Sequence, residues 1–225
     1  MSAYFAKKQK LKGKSVLITA GPTYEKIDPV RFVGNYSSGK MGYALAEECA
    51  GQGANVQLVS GPVQIKAKHA NIQVIPVESA SEMYQEATKR FETANAAILC
   101  AAVADFTPCH TADKKIKKQE LSIGNSQLSI ELKTTTDIAA TLGASKQAHQ
   151  RLIGFALETH DEHANAERKL QTKNLDMIVL NSLQDKGAGF GVDTNKVTLL
   201  YANGTKKDLP LLLKQEVADT IIDSI

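Results

Sequence analysis

The feature that most constrains this chain is a regular exchange of two hydrophobic periods. Short, wholly apolar runs alternate with longer stretches whose apolar residues recur every three or four positions. Ser15-Val-Leu-Ile-Thr-Ala20 and Asn55-Val-Gln-Leu-Val-Ser60 are closed by Gly21-Pro22 and Gly61-Pro62, so both read as buried strands followed by turns. Between them, residues 40–52 carry Met41, Ala44, Leu45, Glu48 and Cys49 at helical spacing. Ser37 and Ser38 offer N-cap hydroxyls, and Gly51 and Gly53 supply the stop. Strand, helix and strand in that order predict a right-handed parallel crossover. The exchange continues through a strand at 72–77, a helix at 81–94 capped by Ser79 or Ser81, and a fully apolar strand at 96–103. Asp137 caps a predicted helix through 147, strands at 152–157 and 176–181 flank a helix at 163–172, and a strand at 196–201 runs into an Asn203-Gly204 hairpin turn. An amphipathic helix begins at about Pro210. The expected fold class is α/β, an open, doubly wound and mainly parallel sheet.

The rhythm breaks once. Residues 115–133 show period-two alternation, with Leu121 and Ile123 before Gly124-Asn125-Ser126 and Leu128, Ile130 and Leu132 after it, the pattern of an inserted β-hairpin arm. Lys115 and Lys117 would share one face of its first strand, although a charged edge strand has the same pattern.

Composition narrows the function classes. A chain of 225 residues, 43% hydrophobic and 23% charged, suits one α/β domain. Three cysteines, Cys49, Cys100 and Cys109, are too few for a disulfide scaffold and read as reduced thiols of a cytoplasmic protein. The longest apolar runs reach about half of the roughly 20 residues that a membrane helix requires. The basic start, with Lys7, Lys8, Lys10, Lys12 and Lys14, lacks the apolar core of a secretion signal. A net charge of +3, no tryptophan and 5% aromatics argue against nucleic acid as the partner. The lysines bunch locally, which suits a small, highly charged anion such as a phosphorylated metabolite.

In a doubly wound sheet ligands bind beyond the carboxyl ends of the strands, so the loops after Ala20, Val103, Leu157 and Asn181 are the candidate site. Gly34-Asn-Tyr-Ser-Ser-Gly39-Lys40 matches the first seven positions of a Walker phosphate loop, but Met41 stands where a magnesium-binding Ser or Thr belongs. What survives is a helix start: Ser37, Ser38, Gly39 and Lys40, with Gly21 in the facing turn, present free N–H groups to a phosphate or carboxylate. A well-capped helix with no ligand reads the same way. Arg31 and Asn35 lie in a loop of about 15 residues, a length that tends to be functional. Arg grips phosphate and Asn stabilises an oxyanion. Asp105, beyond the most apolar strand, is placed for magnesium or a ribose hydroxyl, or else caps a turn. Lys169 and Lys173 share a helix face. His160 and His163 have no third ligand nearby, and no protein metal site is assigned.

With those residues in view, the chain closely resembles the phosphopantothenoylcysteine synthetase domain of coenzyme A biosynthesis, the C-terminal domain of the bifunctional bacterial protein. The most specific piece runs from Ile18 to Gly42 (ITAGPTYEKIDPVRFVGNYSSGKMG), supported by Ala101-Ala-Val-Ala-Asp105, Lys115-Ile-Lys-Lys118 and Gly154-Phe-Ala-Leu-Glu-Thr159. The resemblance implies a Rossmann-like sheet with a hairpin dimerisation arm at about 114–133. It implies a ligase that joins 4'-phosphopantothenate to L-cysteine through an acyl-nucleotide, with CTP in the typical bacterial enzyme and ATP in the eukaryotic one. Asn35 and Arg31 resemble the residues that hold the acyl group, and Lys115 the cation that reaches across from the partner subunit of a homodimer. Ala101, Ala102, Val103, Asp105, Asp137, Ile138, Phe155, Lys169 and Lys173 resemble the nucleotide pocket, with magnesium on the phosphates. In most bacteria a flavin-dependent decarboxylase precedes this domain, so the resemblance implies either a standalone enzyme or one domain of a fused protein, with residues 1–13 a basic extension or linker remnant and 14–225 the domain. A nicotinamide oxidoreductase is disfavoured by the missing glycine fingerprint and by Ser60 where an acidic residue belongs. An inactive assembly module would be expected to lose Asn35 or Lys115, and both are present.

Overall fold

The structure, a computed structural model, describes residues 9–117, 128–158, 161–182 and 191–224. In chain order its elements are β1 (Ser15–Ala20), β2 (Tyr24–Lys26), β3 (Phe32–Gly34), α1 (Lys40–Gly51), β4 (Asn55–Ser60), β5 (Ile72–Pro76), α2 (Ala80–Phe91) and β6 (Ala96–Leu99). There follow β7 (Phe106–Pro108), β8 (Leu132–Thr134), α3 (Ile138–Ser145), β9 (Arg151–Glu158), α4 (Glu162–Thr172), β10 (Met177–Ser182), β11 (Thr194–Asn195), β12 (Val197–Tyr201), β13 (Lys206–Asp208), β14 (Leu212–Leu213) and α5 (Lys214–Asp223).

Eight strands form the main sheet in the order β13-β12-β10-β9-β6-β1-β4-β5. The six from β5 to β10 are parallel, and β12 and β13 close one edge antiparallel. Counted along the chain, the parallel strands run 3-2-1-4-5-6, the doubly wound order whose direction reverses between β1 and β6. Both faces are covered, which is why the central strands read as continuous apolar runs. In β1, Val16, Ile18 and Ala20 pack under α1 and α5, while Leu17 faces the opposite layer with Met83 and Phe91 of α2 and Leu142 of α3.

Several sequence expectations are corrected at their ends. The third crossover strand stops at Leu99 instead of 103: Ala101 N–H turns to the Thr19 hydroxyl Oγ1, and beyond it a single in-register bridge, Ala102 opposite Pro22, is what continues the pairing. The last helix begins at Lys214, after the short β11–β14 pairing, rather than near Pro210. Helix α1 is capped by Gly39 in the left-handed region (φ 76°) and not by a serine side chain, and Ser37 Oγ accepts only the Gly39 N–H. For α2 the hydroxyl of Ser79 is the cap, in a reciprocal box with Glu82. The long first loop holds a small hairpin, β2 with β3, in which Tyr24 and Phe32 stack at 3.9 Å.

At the predicted arm, β8 pairs antiparallel with β7, and Cys109 N–H extends that ladder to Glu131. Residues 115–117 form no strand, so Lys115 and Lys117 do not share a strand face. The Gly124-Asn125-Ser126 turn, with Lys7, Lys8, Lys118, Leu121, Ile123, Thr159 and His160, lies outside the described residues. No described helix is long and apolar enough to cross a membrane.

Candidate active site

Two adjoining cavities open at the carboxyl ends of the parallel strands, at the point where strand order reverses. The larger, about 560 Å³, is walled by the loop after β6 (Ala101, Ala102, Val103, Asp105), the Thr134–Ala139 segment leading into α3, Phe155 of β9, and Lys169 and Lys173. The smaller, about 150 Å³, lies at the start of α1 and is lined by Ser37, Ser38, Gly39 and Lys40 together with Asn181, Asn195 and Lys214. Ala101, Ala102 and Phe155 border both, so the two spaces share a wall.

Helix α1 meets the smaller cavity by close backbone approach. A methyl group on Gly42 would lie 2.5 Å from Ala20 Cβ, and one on Gly39 2.8 Å from Val63 Cγ1. With no side-chain cap at Gly39, the first N–H groups of α1 and its positive dipole end face this space. Gly21 lines neither cavity; it supports this corner through its carbonyl, which holds Ala102 N–H at 2.9 Å.

Two lysines then add positive charge where helix starts already carry it. Lys40 and Lys214 are the first residues of α1 and α5, and both grip the segment 191–195. Lys40 Nζ donates to the Gly191 carbonyl (2.8 Å) and pairs with Asp193 (2.6 Å), while Lys214 Nζ donates to the carbonyls of Val192 (2.6 Å) and Thr194 (2.9 Å). Burial and the neighbouring Lys40 pull Lys214 below its ordinary range, against the attraction of Asp193. The Asn181 side-chain oxygen is buried there without a hydrogen-bond partner among the described residues. Burial pushes the nearby Cys100 thiol up to about 12, so it forms part of the wall as a neutral thiol.

In the larger cavity the cations are held ready. Lys169 pairs with Glu158 at 2.6 Å and Lys173 with Asp137 at 2.8 Å. Burial opposes ionisation of Asp137, but Lys173 and the Ala140 N–H outweigh it and keep the carboxyl below its usual range. Asn35 stands at the mouth, its amide donating at 3.1 Å to the carbonyls of both Ala102 and Val103.

The sequence-predicted residues thus divide. Asn35, Ala101, Ala102, Val103, Asp105, Asp137, Ile138, Phe155, Lys169 and Lys173 converge on the larger cavity, and Ser37, Ser38, Gly39 and Lys40 on the smaller. Lys115 is exposed and borders neither. Arg31 turns away: its guanidinium pairs with the buried Asp28 (Nε to Oδ2, 3.0 Å) and donates to the Ile116 carbonyl at 2.9 Å, tying β3 to the root of the arm. That guanidinium, with the backbone N–H groups of Val30, Ile116 and Arg31, overcomes burial and holds the Asp28 carboxyl far below the carboxylate range. Sequence reasoning missed Lys214, Asn195 and Glu158. A lysine directly after Leu211-Leu212-Leu213 was the available signal for Lys214.

A family model described as the DNA/pantothenate metabolism flavoprotein C-terminal domain matches residues 11–225. The chain belongs to this family. Its fellow members include the coenzyme A biosynthesis bifunctional protein CoaBC of Bacillus subtilis, 47% identical over 96% of this chain and 52% of that one. A protein of an unknown prokaryotic organism, named cysteine/cysteine sulfinic acid decarboxylase, is 51% identical over 99% of this chain and 62% of its own. The chain therefore spans roughly half to three-fifths of the length of the curated relatives it matches. Among solved structures, the C-terminal domain of a CoaBC superposes with a TM-score of 0.79 at 41% identity, covering 95% of this chain and 94% of that one. A Cab2 variant in complex with phosphopantothenate-cysteine shares the fold, with a TM-score of 0.72 at 17% identity over 98% of this chain and 88% of that one.

Proposed function

We propose that this chain is a phosphopantothenate–cysteine ligase that activates its substrate with CTP. The observation that carries the reading is the pair of joined cavities at the strand reversal, one walled by Lys169 and Lys173 and the other by an uncapped helix start with Lys40 and Lys214. Two polyanionic substrates have to meet in such a reaction, and the CoaBC relatives support these two. The Cab2 variant, which shares the fold, forms a complex with phosphopantothenate-cysteine.

In this reading CTP occupies the larger cavity, with its phosphates drawing Lys169 and Lys173 away from Glu158 and Asp137. The phosphate of 4'-phosphopantothenate sits at the start of α1. Its carboxylate oxygen attacks the α-phosphorus, the bond to the β-phosphate oxygen breaks, and pyrophosphate leaves an acyl-cytidylate. The cysteine amine then adds to the acyl carbon, loses a proton and expels cytidine monophosphate. Asn35, at the mouth of the larger cavity, exchanges the Ala102 and Val103 carbonyls for the substrate, so that its amide N–H groups orient the carboxylate and stabilise the oxyanion of the second step. Lys115 supplies positive charge to the first step from the arm of a second subunit. Magnesium, if bound, would supply positive charge that offsets the charge of the phosphates. The chemistry of the lining fits that role: Asp105, an exposed carboxylate on the cavity wall, would hold the ion. A flavin-dependent decarboxylase is proposed to precede the domain in the full-length protein, and the site of action is the cytoplasm.

The test is pyrophosphate release with 4'-phosphopantothenate and cysteine, supplied in turn with CTP and ATP. Silence with both nucleotides would end the ligase reading. The relative named as a decarboxylase favours a second activity, and carbon dioxide release from cysteine or cysteine sulfinic acid by this chain without nucleotide would support it.

A further inference from the structure

Helix α3 contains a glycine at a position where the helix itself gains nothing from it. In a helix interior glycine costs about 1 kcal/mol relative to alanine. Gly143 is fully enclosed, and a Cβ built on it would lie 1.9 Å from the Lys173 carbonyl oxygen and 2.8 Å from its carbonyl carbon. Only a residue without a side chain lets the backbone of α3 rest directly on the backbone that ends α4. The next residue completes the joint. Asn174 adopts a left-handed conformation (φ 49°), and from it the side-chain amide donates to the Gly143 carbonyl at 2.9 Å. Lys146 closes the same corner by donating to the Asn174 carbonyl at 2.7 Å and pairing with Asp176 at 3.0 Å.

These contacts lie behind the larger cavity, yet they join two of its walls. The opposite end of α3 supplies Asp137, Ile138 and Ala139 to the lining, and α4 with its cap supplies Lys169 and Lys173. Lys173 belongs to both sets: its carbonyl meets Gly143 while its ammonium pairs with Asp137 across the cavity. We propose that Gly143 and Asn174 are positioning residues that set the distance between the α3 and α4 walls of the nucleotide cavity, and so the placement of Lys173 on the polyphosphate. This rests on the nucleotide reading of that cavity. Any β-carbon at 143 forces the walls to part by roughly 1 Å, and a displacement of that size at a binding group is enough for large losses.

The test compares Gly143→Ala and Asn174→Gly with the unaltered protein. Glycine accepts the positive φ at 174, so the second variant removes the tether without straining the fold and keeps the proposal testable should the first not fold. Both should raise the KM for CTP roughly tenfold while leaving kcat and the KM for cysteine within about twofold. Folded variants with an unchanged KM for CTP, or with all constants falling in parallel, would overturn the inference while leaving the ligase reading in place. Calorimetric titration of the unaltered protein with CTP and with ATP separates the two cases: binding of neither removes the nucleotide reading and the positioning role together.

Discussion

Lys169 and Lys173 show what a cation in this site does before a ligand arrives: each rests on a carboxylate, Glu158 or Asp137. Exchange of those partners for phosphate avoids leaving a lysine unpaired in either state. It predicts that Glu158→Gln alters nucleotide affinity without altering fold, measurable as a changed Kd for CTP with a circular dichroism spectrum like that of the unaltered protein. Because the Asp137 carboxyl is held below its ordinary range, its contribution to stability is present above the unfolded carboxylate pKa near 4 and is lost as pH falls through the lower folded value. For a pair so exposed the effect is at most about 1 kcal/mol. Acid unfolding curves should show it, and an Asp137→Asn variant should lack it. At Lys115, substitution by Ala should abolish pyrophosphate release and leave the melting temperature unchanged, since the side chain is exposed. Near-normal turnover would take Lys115 out of the mechanism.

Among the elements, α1 is the one whose seating governs the smaller cavity. Its contact with β1 is a glycine against an alanine, so Gly42→Ala should destabilise the fold by about 1–3 kcal/mol in a denaturant titration. A value near zero would mean that the helix slides without cost. The element boundaries also show why pattern reading succeeds in part. Central strands are buried on both faces and α2 carries a box of Ser79 and Glu82, so hydrophobic run and cap chemistry sufficed to find them. The end of β6 and the cap of α1 did not follow from pattern, although the start of α1 at Lys40 did. At the first a partner far away in the chain decides, since the Thr19 hydroxyl takes the Ala101 N–H, and at the second a positive φ at Gly39 replaces the serine caps.

At the scale of the whole molecule, an apolar face lies around the root of the arm. Val30, Phe32 and Phe106 are 60%, 49% and 50% exposed, with Leu128, Ile130 and Leu132 nearby in the arm sequence. A face of this kind is what a second copy of the chain would cover. Sedimentation should give a dimer, and Phe106→Asp a monomer. If Lys115 acts across subunits, mixing inactive Lys115→Ala and Asn35→Ala proteins should restore roughly a quarter of the sites, because half the dimers are mixed and each mixed dimer holds one intact site. No recovery would assign Lys115 to its own chain. By itself the sequence determined the α/β class, most of the strands and helices, the family, and the loops where ligand groups gather, because these depend on local period, turn chemistry and a long contiguous motif. Only the tertiary structure decided that Arg31 serves Asp28 and the arm, that Lys214 and Asn181 join the start of α1, and that Gly143 spaces the cavity walls. The physical reason is common to all three: a side chain's charge partner and a backbone's nearest neighbour are set by which strands and helices lie adjacent in space, and that adjacency leaves no period in the sequence.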